Sequence, residues 1–93
     1  MNQTIALIEI QGHIASIETV DAMVKSASIE LIGYTQVGSE FVLAFTGERK
    51  TILAALELGI RQARNFGTVL THHVINIPDN QTQQFIESLM VQN

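Results

Sequence analysis

The chain begins with an almost unbroken run of apolar and β-branched residues over positions 4–11, TIALIEIQ. A strand with one face in water alternates apolar and polar residues, so this run predicts a central strand that is covered on both faces. Glu9 is the exception, because an unpaired charge inside such a strand is costly. We therefore expect Glu9 to meet a partner at the sheet face or at a subunit interface.

Two segments show the three- and four-residue spacing of amphipathic helices. The first follows Gly12 and has the length of about four turns. The second covers residues 48–65 and ends before Gly67, as helices commonly do. Its interior Gly59 costs about 1 kcal/mol relative to alanine, which indicates either close packing against a neighbour or tolerated slack. The predicted buried positions are Ile14, Ile17, Val20 or Asp21, Val24 and Ala27 in the first helix, and Ile52, Ala55, Leu56, Gly59, Ile60 and Ala63 in the second.

The remaining strands are predicted from β-branched and aromatic runs. Residues 28–36 and 41–46 flank a short turn centred on Gly38 and Ser39, which indicates a hairpin. Residues 68–77 form a fourth strand that stops before proline.

An amphipathic tail helix is predicted for residues 79–91, and it presents Phe85, Ile86, Leu89 and Met90. The resulting order is β-α-β-β-α-β plus a helix. This order predicts an α/β (α+β) fold of the ferredoxin-like, split βαβ type. Its antiparallel sheet carries both main helices on one face and leaves the other face free for partners.

The composition adds a second reason to expect partners. With 93 residues, one proline and no cysteine, the chain is predicted to be one domain over residues 1–93, with a core of about 4–78 and a divergent tail of about 79–93. So short a chain buries only about 60% of its unfolded surface. Because 46% of the residues are hydrophobic and 15% are charged, apolar surface remains for contacts between subunits.

Several classes of function are disfavoured. The absence of cysteine excludes disulfides and thiolate metal sites, and the start of the chain has no basic, apolar signal pattern, so we expect a cytosolic protein. No apolar run reaches the roughly 20 residues of a membrane span. A net charge of −4 with five scattered basic residues opposes nucleic-acid binding.

Catalytic and metal-binding residues are sparse. The ready bases are His13, His72 and His73, with no cysteine nucleophile and no GxSxG turn. His72 and His73 are adjacent on a predicted strand, so they point to opposite faces and cannot chelate one metal within a subunit. His13 is interpreted as a solvated or capping residue. Glu18 and Asp21 could share a proton or a cation, but a solvated helix face is the favoured interpretation. We expect no catalytic residue, metal or cofactor.

Residues 6–48, ALIEIQGHIASIETVDAMVKSASIELIGYTQVGSEFVLAFTGE, resemble the bacterial microcompartment (BMC) shell protein family. That family opens with an apolar strand ending in Glu, then has a glycine and a helix with a D-A-M-x-K-like segment. The resemblance continues through the second helix to residues 71–75, THHVI, where the family has V-H-V-I-P-R-P. It covers nearly the whole chain apart from the tail.

The resemblance implies a cyclic hexamer, a flat tile that packs edge to edge with copies of itself and with other shell proteins around encapsulated enzymes. The protein would then lie in a microcompartment shell in the cytoplasm. The lysine that matches Lys25 would lie at the tile edge and pair with its symmetry mate. The family's hairpin turn lines a pore on the ring axis, and here that turn is formed by residues 36–40. Gly38 and Ser39 match the family pattern, and would offer donors to small polar metabolites.

Two departures from the family affect these expectations. Glu40 stands where relatives usually have a second glycine, and Gln36 occupies a frequently basic position, so the pore should favour anions less. Carboxylates about 7 Å apart repel by roughly 0.6 kcal/mol in water and about 2.4 kcal/mol at a dielectric of 20. We therefore expect the loop to splay, the carboxylates to take up protons or a cation, or the assembly to depart from a closed symmetric ring. In the second departure, Asn76 and Ile77 replace the first two residues of P-R-P. Because Ile77 cannot donate the arginine's hydrogen bonds, lateral packing should be weaker or differently angled.

Two alternatives come from other classes of function. A ferredoxin-like small-molecule sensor would bind a metabolite between subunits and change its assembly or stability on binding. RNA binding on the open sheet face would use Phe41 and Phe45, four apart on one strand face, but the chain lacks the basic charge of such proteins.

Overall fold

The computed structural model describes residues 3–77 and 80–92. Pro78 and Asp79, where the sequence predicts the end of the fourth strand and the start of the tail helix, lie outside the described residues. The elements in chain order are β1 (Gln3–Gln11), α1 (His13–Ser26), β2 (Glu30–Val37), β3 (Glu40–Gly47), α2 (Arg49–Phe66), β4 (Thr68–Ile77), α3 (Asn80–Leu89) and β5 (Val91–Gln92).

The strands form one antiparallel sheet in the order β4-β1-β3-β2-β5. The first four strands have the order expected of the ferredoxin-like fold, and β1 lies in the middle of the sheet as its apolar sequence predicts. The two-residue β5 was not predicted. It extends the sheet by pairing with Gly33 and Tyr34 of β2. No helix within the described ranges is long and apolar enough to cross a membrane.

The second helix buries the face that its sequence predicts. Ile52, Ala55, Leu56, Gly59 and Ala63 are buried against the sheet and against α1. A Cβ atom built on Gly59 would lie only 2.5 Å from the sulfur of Met23 on α1. This confirms the close-packing interpretation of Gly59.

The first helix buries a different face from the predicted one. Its buried residues are Ala15, Ser16, Thr19 and Met23, while the side chains of Ile14, Ile17 and Val24 are 58%, 63% and 39% exposed. Only Val20 and Ala27 of the predicted stripe pack partly against the core.

Small side chains explain the choice of face, because they let α1 approach α2 closely at Gly59, where an added Cβ would lie 3.3 Å from Cγ2 of Thr19. The buried hydroxyls are satisfied within α1. Thr19 donates to the carbonyl of Ala15 at 2.6 Å, and Ser16 donates to the carbonyl of Gly12 at 2.9 Å.

The sheet face opposite α1 and α2 is partly covered rather than free. Ile86 of α3 packs on Ile5, Ile32 and Ala44, with Met90 partly buried beside them. Of the other residues predicted to be presented by the tail helix, Phe85 and Leu89 are 64% and 57% exposed.

Glu9 lies on this second face, half-buried, with Val42 and Thr71 as its register neighbours. No salt bridge to it occurs within residues 3–77 and 80–92. Its expected partner at an interface stays a prediction.

Candidate functional site

The turn between β2 and β3 is a two-residue hairpin loop. Val37 pairs with Glu40, which leaves Gly38 and Ser39 as the loop. Gly38 has φ +61°, and glycine at the first loop position with positive φ is typical of a type II′ turn. The carbonyl of Ser39 accepts a hydrogen bond from the amide of Gly12 at 2.7 Å. The loop is therefore tied to the junction between β1 and α1.

A second set of contacts holds the same turn from the side. The side-chain nitrogen of Gln36 donates to the carbonyl of Gly38 at 2.9 Å and lies 3.2 Å from Nε2 of His13. The His13 ring meets Phe41 edge to face, with centroids 5.0 Å apart. His13, the first residue of α1, is exposed, as the solvated interpretation expects, and it also has a specific contact with the turn through Gln36. Nothing in the sequence around His13 indicated the contact, because Gln36 and Phe41 are more than twenty residues away.

The predicted pore residues therefore come together. Gln36 donates to Gly38, Ser39 accepts from Gly12, and Glu40 begins the next strand with its side chain exposed.

The predicted edge residues lie at the other end of the subunit. α1 starts beside the turn and its 14 residues span about 21 Å, so Lys25 in its last turn is far from Gly38. Lys25 is 74% exposed and pairs with Asp21 at 2.9 Å. Asn76, near the end of β4, pairs with Thr4 at the start of β1. Asn76 therefore lies at the same end of the subunit as Lys25.

Asn76 is held by two donors. Its Oδ1 accepts from the hydroxyl of Thr4 at 3.2 Å and from Nη1 of Arg49 at 3.0 Å. Arg49 is the first residue of α2 and is exposed. Ile77 pairs with Gln3 through its backbone. A guanidinium thus lies at this end of the sheet although position 77 is isoleucine.

An apolar groove runs along the flank between α1 and the strands β2 and β3, with a cavity volume of about 520 Å³. We call it the α1–β2 groove. Ile17 and Val24, which the sequence assigned to the core, line it. For both residues the predicted burial differs from the observed exposure, and this difference marks the groove as a surface of interest. The complete lining is His13, Ser16, Ile17, Val20, Asp21, Val24, Leu31, Tyr34, Gln36, Phe41 and Leu43.

The other candidate residues are not brought together. His73 and His72 occupy successive positions on β4, opposite Leu7 and Ile8. Glu18 accepts from Gln62 at 3.4 Å, whereas Asp21 pairs with Lys25, so the two carboxylates have separate partners. Within the described ranges, no three His, Cys, Asp or Glu side chains are grouped to hold a metal ion.

The RNA-binding hypothesis is wrong in its structural premise. Phe41 and Phe45 pair with Ile10 and Ala6, on the sheet face that α1 and α2 cover. Phe45 is fully buried, so it offers no ring on which a base could stack.

Comparison with known proteins adds independent findings. The BMC domain family model matches residues 4–78. The bacterial microcompartment shell protein PduA of Citrobacter freundii is 36% identical over 85 residues, which are 90% of this chain and 91% of that protein. The carboxysome shell protein CcmK2 of Synechococcus elongatus is 36% identical over 77 residues, covering 80% of this chain and 76% of that protein. EutM of Escherichia coli, a microcompartment shell protein, is 32% identical over 83 residues, covering 88% and 86%.

A solved structure of a microcompartment protein from Desulfitobacterium hafniense has the same fold. It superposes with a TM-score of 0.79 at 21% identity, over 98% of this chain and 50% of that chain. This chain therefore spans half the length of that protein. With a family match over residues 4–78 and relatives above 30% identity over most of their length, the chain belongs to the BMC domain family of bacterial microcompartment shell proteins.

Proposed function

We propose that this protein is a structural shell subunit that forms a cyclic hexamer, and that the hexamers pack side by side into the shell of a cytoplasmic bacterial microcompartment. The family match and the names of the relatives support a structural, non-enzymatic role. The hairpin turn would surround a pore on the ring axis, through which small polar metabolites cross to the encapsulated enzymes. The observation that carries this proposal is the separation of the turn and the edge residues to opposite ends of α1.

The placement of these groups fits a radial subunit. In a ring, one end of each subunit meets the axis and the other meets neighbouring rings. The turn at Gly38 and Ser39 is anchored at the start of α1, whereas Lys25 lies in its last turn, about 21 Å along the helix. This supports an axial role for the turn and an edge role for Lys25.

The α1–β2 groove supports contact with a neighbouring subunit in the ring. Its apolar side chains Ile17 and Val24 are exposed in the single subunit, and exposed apolar surface of this kind marks interaction sites. The opposite flank of the subunit also presents apolar side chains, because Phe66 and Leu70 are 49% and 43% exposed. A groove on one flank and apolar side chains on the other suit the head-to-tail contact that closes a ring.

The pore would be polar and less favourable to anions than a basic one. Glu40 adds one carboxylate from each subunit near the turn, and the Gln36 amide is already engaged by Gly38 and His13. Because Glu40 is exposed, its carboxylate has room to point away from the axis. Such a splay lowers the repulsion expected from the sequence but does not abolish it, because the carboxylates stay near the turn.

Lateral packing between rings would use Lys25 together with the surface around Asn76. Ile77 lacks the donors of the family's arginine, but Arg49 brings a guanidinium to the same end of the sheet. Arginine has five donors and Asn76 accepts from one of them, so others remain for a neighbour. We therefore expect neighbouring rings to pack side by side at an altered angle, and not to lose their lateral contacts.

The test is the mass of the purified protein by light scattering behind a sizing column, followed by electron microscopy. The wild type is expected to form hexamers that tile. Ile17→Glu, in the α1–β2 groove, should give subunits that stay folded but no longer form rings. Leu89→Glu is the matched control, because Leu89 is similarly exposed, at 57%, but lies on α3. A monomeric wild type would contradict the proposal, and a ligand-responsive dimer would favour the sensor.

A further inference from the structure

The flank of the subunit opposite the α1–β2 groove is formed by β4 and by one face of α2. β4 is an edge strand that pairs with β1. On α2, Gly59 lies against Met23 of α1, whereas Arg49 donates to Asn76 of β4. The face of α2 that carries Arg49 is therefore on the side of β4 and away from α1.

Apolar side chains continue along that face of α2. Leu53 follows Arg49 by four residues and Ile60 follows Leu53 by seven, so the three residues share one face of the helix. Ile60 is half-buried and Leu53 is 42% exposed. Leu53 is thus an apolar side chain that is available for contacts on this flank.

A β-bulge adds Leu70 to the same flank. Val69 pairs with Ile10 and Thr71 pairs with Glu9, so two neighbouring residues of β1 face alternate residues of β4 and Leu70 is the extra one. A bulge changes the direction of a side chain and interrupts the regular backbone edge of a strand. Leu70 is exposed. We call the surface formed by Leu53, Ile60 and Leu70 the β4–α2 flank.

The groove and the β4–α2 flank can be measured from a common end of the subunit, the end that holds the hairpin turn. α1 begins there, because the amide of Gly12 donates to the carbonyl of Ser39. β4 begins there as well, because Thr68 pairs with Gln11, and α2 ends at Phe66, two residues before Thr68.

The apolar side chains of the two surfaces lie at matching distances from this end. Leu70 is about 7 Å along β4 from its start, and Ile17 is about 6 Å along α1 from its start. Farther out, Val24 is about 16 Å from the start of α1, and Leu53 is about 20 Å from the end of α2. Each exposed side chain of the flank therefore has a counterpart in the groove.

We propose that the β4–α2 flank of one subunit fills the α1–β2 groove of the next, with Leu70 against Ile17 and Leu53 against Val24. Across a cyclic contact, side chains that touch lie at the same distance from the ring axis. The pairing rests on the proposed function, because it takes the turn as the axial end of the subunit. The occupant of the groove is a second copy of this chain, and the bulge at Leu70 makes the contact one between side chains.

Engineered disulfides test the pairing directly, since the chain has no cysteine. The full-length variants Ile17→Cys/Leu70→Cys and Val24→Cys/Leu53→Cys are oxidised and separated on a non-reducing gel. Each should give a ladder of linked chains, because a disulfide forms where Cα atoms approach within about 7 Å. The exchanged pairs Ile17→Cys/Leu53→Cys and Val24→Cys/Leu70→Cys use the same four positions at levels that differ by roughly 9–14 Å. They should give single chains.

Charge pairing tests the same contact without a disulfide. Ile17→Lys and Leu70→Glu should each lose the ring when pure. A mixture of the two should recover most of the wild-type amount, because alternating subunits place lysine against glutamate at one contact and isoleucine against leucine at the next. A mixture of Ile17→Lys with Leu53→Glu is the matched control and should recover no rings.

Light scattering on the same samples separates failure of the pairing from failure of the ring. Wild-type rings without a ladder from either matched pair would overturn the pairing and leave the ring standing, as would equal ladders from the exchanged pairs. A small apolar molecule or a different protein in the groove would give the first of these results. If the cysteine variants form no rings, recovery in the charged mixture decides. A monomeric wild type overturns both the pairing and the proposed function.

Discussion

Replacing Gly59 by alanine should destabilise the protein, although alanine is the better helix former. Gly59 lies inside α2 and is buried against α1. An added Cβ would lie 2.5 Å from Sδ and 2.6 Å from Cγ of Met23, and 3.3 Å from Cγ2 of Thr19. Because Met23 is fully buried, its side chain has little space into which to move.

Two opposing terms set the magnitude. The higher helix propensity of alanine contributes about 1 kcal/mol of stability. Overpacking of a filled core costs about 1–3 kcal/mol. The expected net loss in the free energy of unfolding is about 1 kcal/mol, which corresponds to a drop in Tm of roughly 4–8 °C for a domain of this size.

The reasoning is tested by removing the atoms that collide. In a Met23→Ala background the two short contacts disappear, and only Thr19 remains near the new Cβ. There the change from Gly59 to alanine should stabilise by up to about 1 kcal/mol, so its effect changes sign. The coupling free energy between positions 23 and 59 should therefore be about 2 kcal/mol. Urea denaturation of the four proteins at one fixed protomer concentration measures it.

Ala54→Gly provides the matched control, because Ala54 is exposed on the same helix. It should cost about 1 kcal/mol through propensity alone and show no coupling to Met23. A Gly59→Ala variant that is more stable than the wild type would refute the close-packing argument. So would a loss that is equally large in the Met23→Ala background.

Three further substitutions have defined outcomes. Gly67→Ala should destabilise by about 2–3 kcal/mol in thermal unfolding, because its Cβ would collide with the carbonyl oxygen of Gln11 and lie 2.8 Å from Cβ of Ala15. Lys25→Ala should change the free energy of unfolding by less than about 0.5 kcal/mol, since its pair with Asp21 is exposed, yet reduce sheets in negative-stain images. If the variant still forms extensive sheets, Lys25 does not contribute to the contact between neighbouring rings. Glu40→Gln should make the ring more resistant to urea dissociation at low salt, with the gain vanishing near about 1 M salt. An unchanged ring would mean that Glu40 points away from the axis.

The sequence predicts the main elements because their patterns are strong. The continuous apolar run of β1 and the stripe of α2 each have one arrangement that buries them. The burial of residues that depends on the packing of neighbouring elements is harder to predict from the sequence. In α1 two faces are apolar enough to be buried. The face with Ala15, Ser16 and Thr19 is the buried one, because its small side chains let α2 pack closely. Hydrophobicity alone favours Ile14 and Ile17, so the periodicity indicated the wrong face.

The candidate site was predicted only in part. The hairpin position follows from Gly38, whose positive φ the turn requires. The link between His13 and Gln36 spans 23 positions and depends on how α1 lies against β2, which no local pattern encodes. Likewise, the contact between Arg49 and Asn76 arises only when the start of α2 meets the end of β4.

The short strand β5 has a consequence for how copies of the protein can join. An uncovered edge strand is a template on which another chain can add through its backbone, and this route leads to open-ended aggregates. β5 occupies the edge of β2 at Gly33 and Tyr34, where its Val91 carbonyl approaches so closely that a side chain at Gly33 would collide with it. Backbone addition is thereby blocked at this stretch of the edge, beside the α1–β2 groove. Copies that meet at Gly33 and Tyr34 would therefore do so through side chains. Because such contacts are reversible, a misplaced subunit would be able to leave and be replaced during growth.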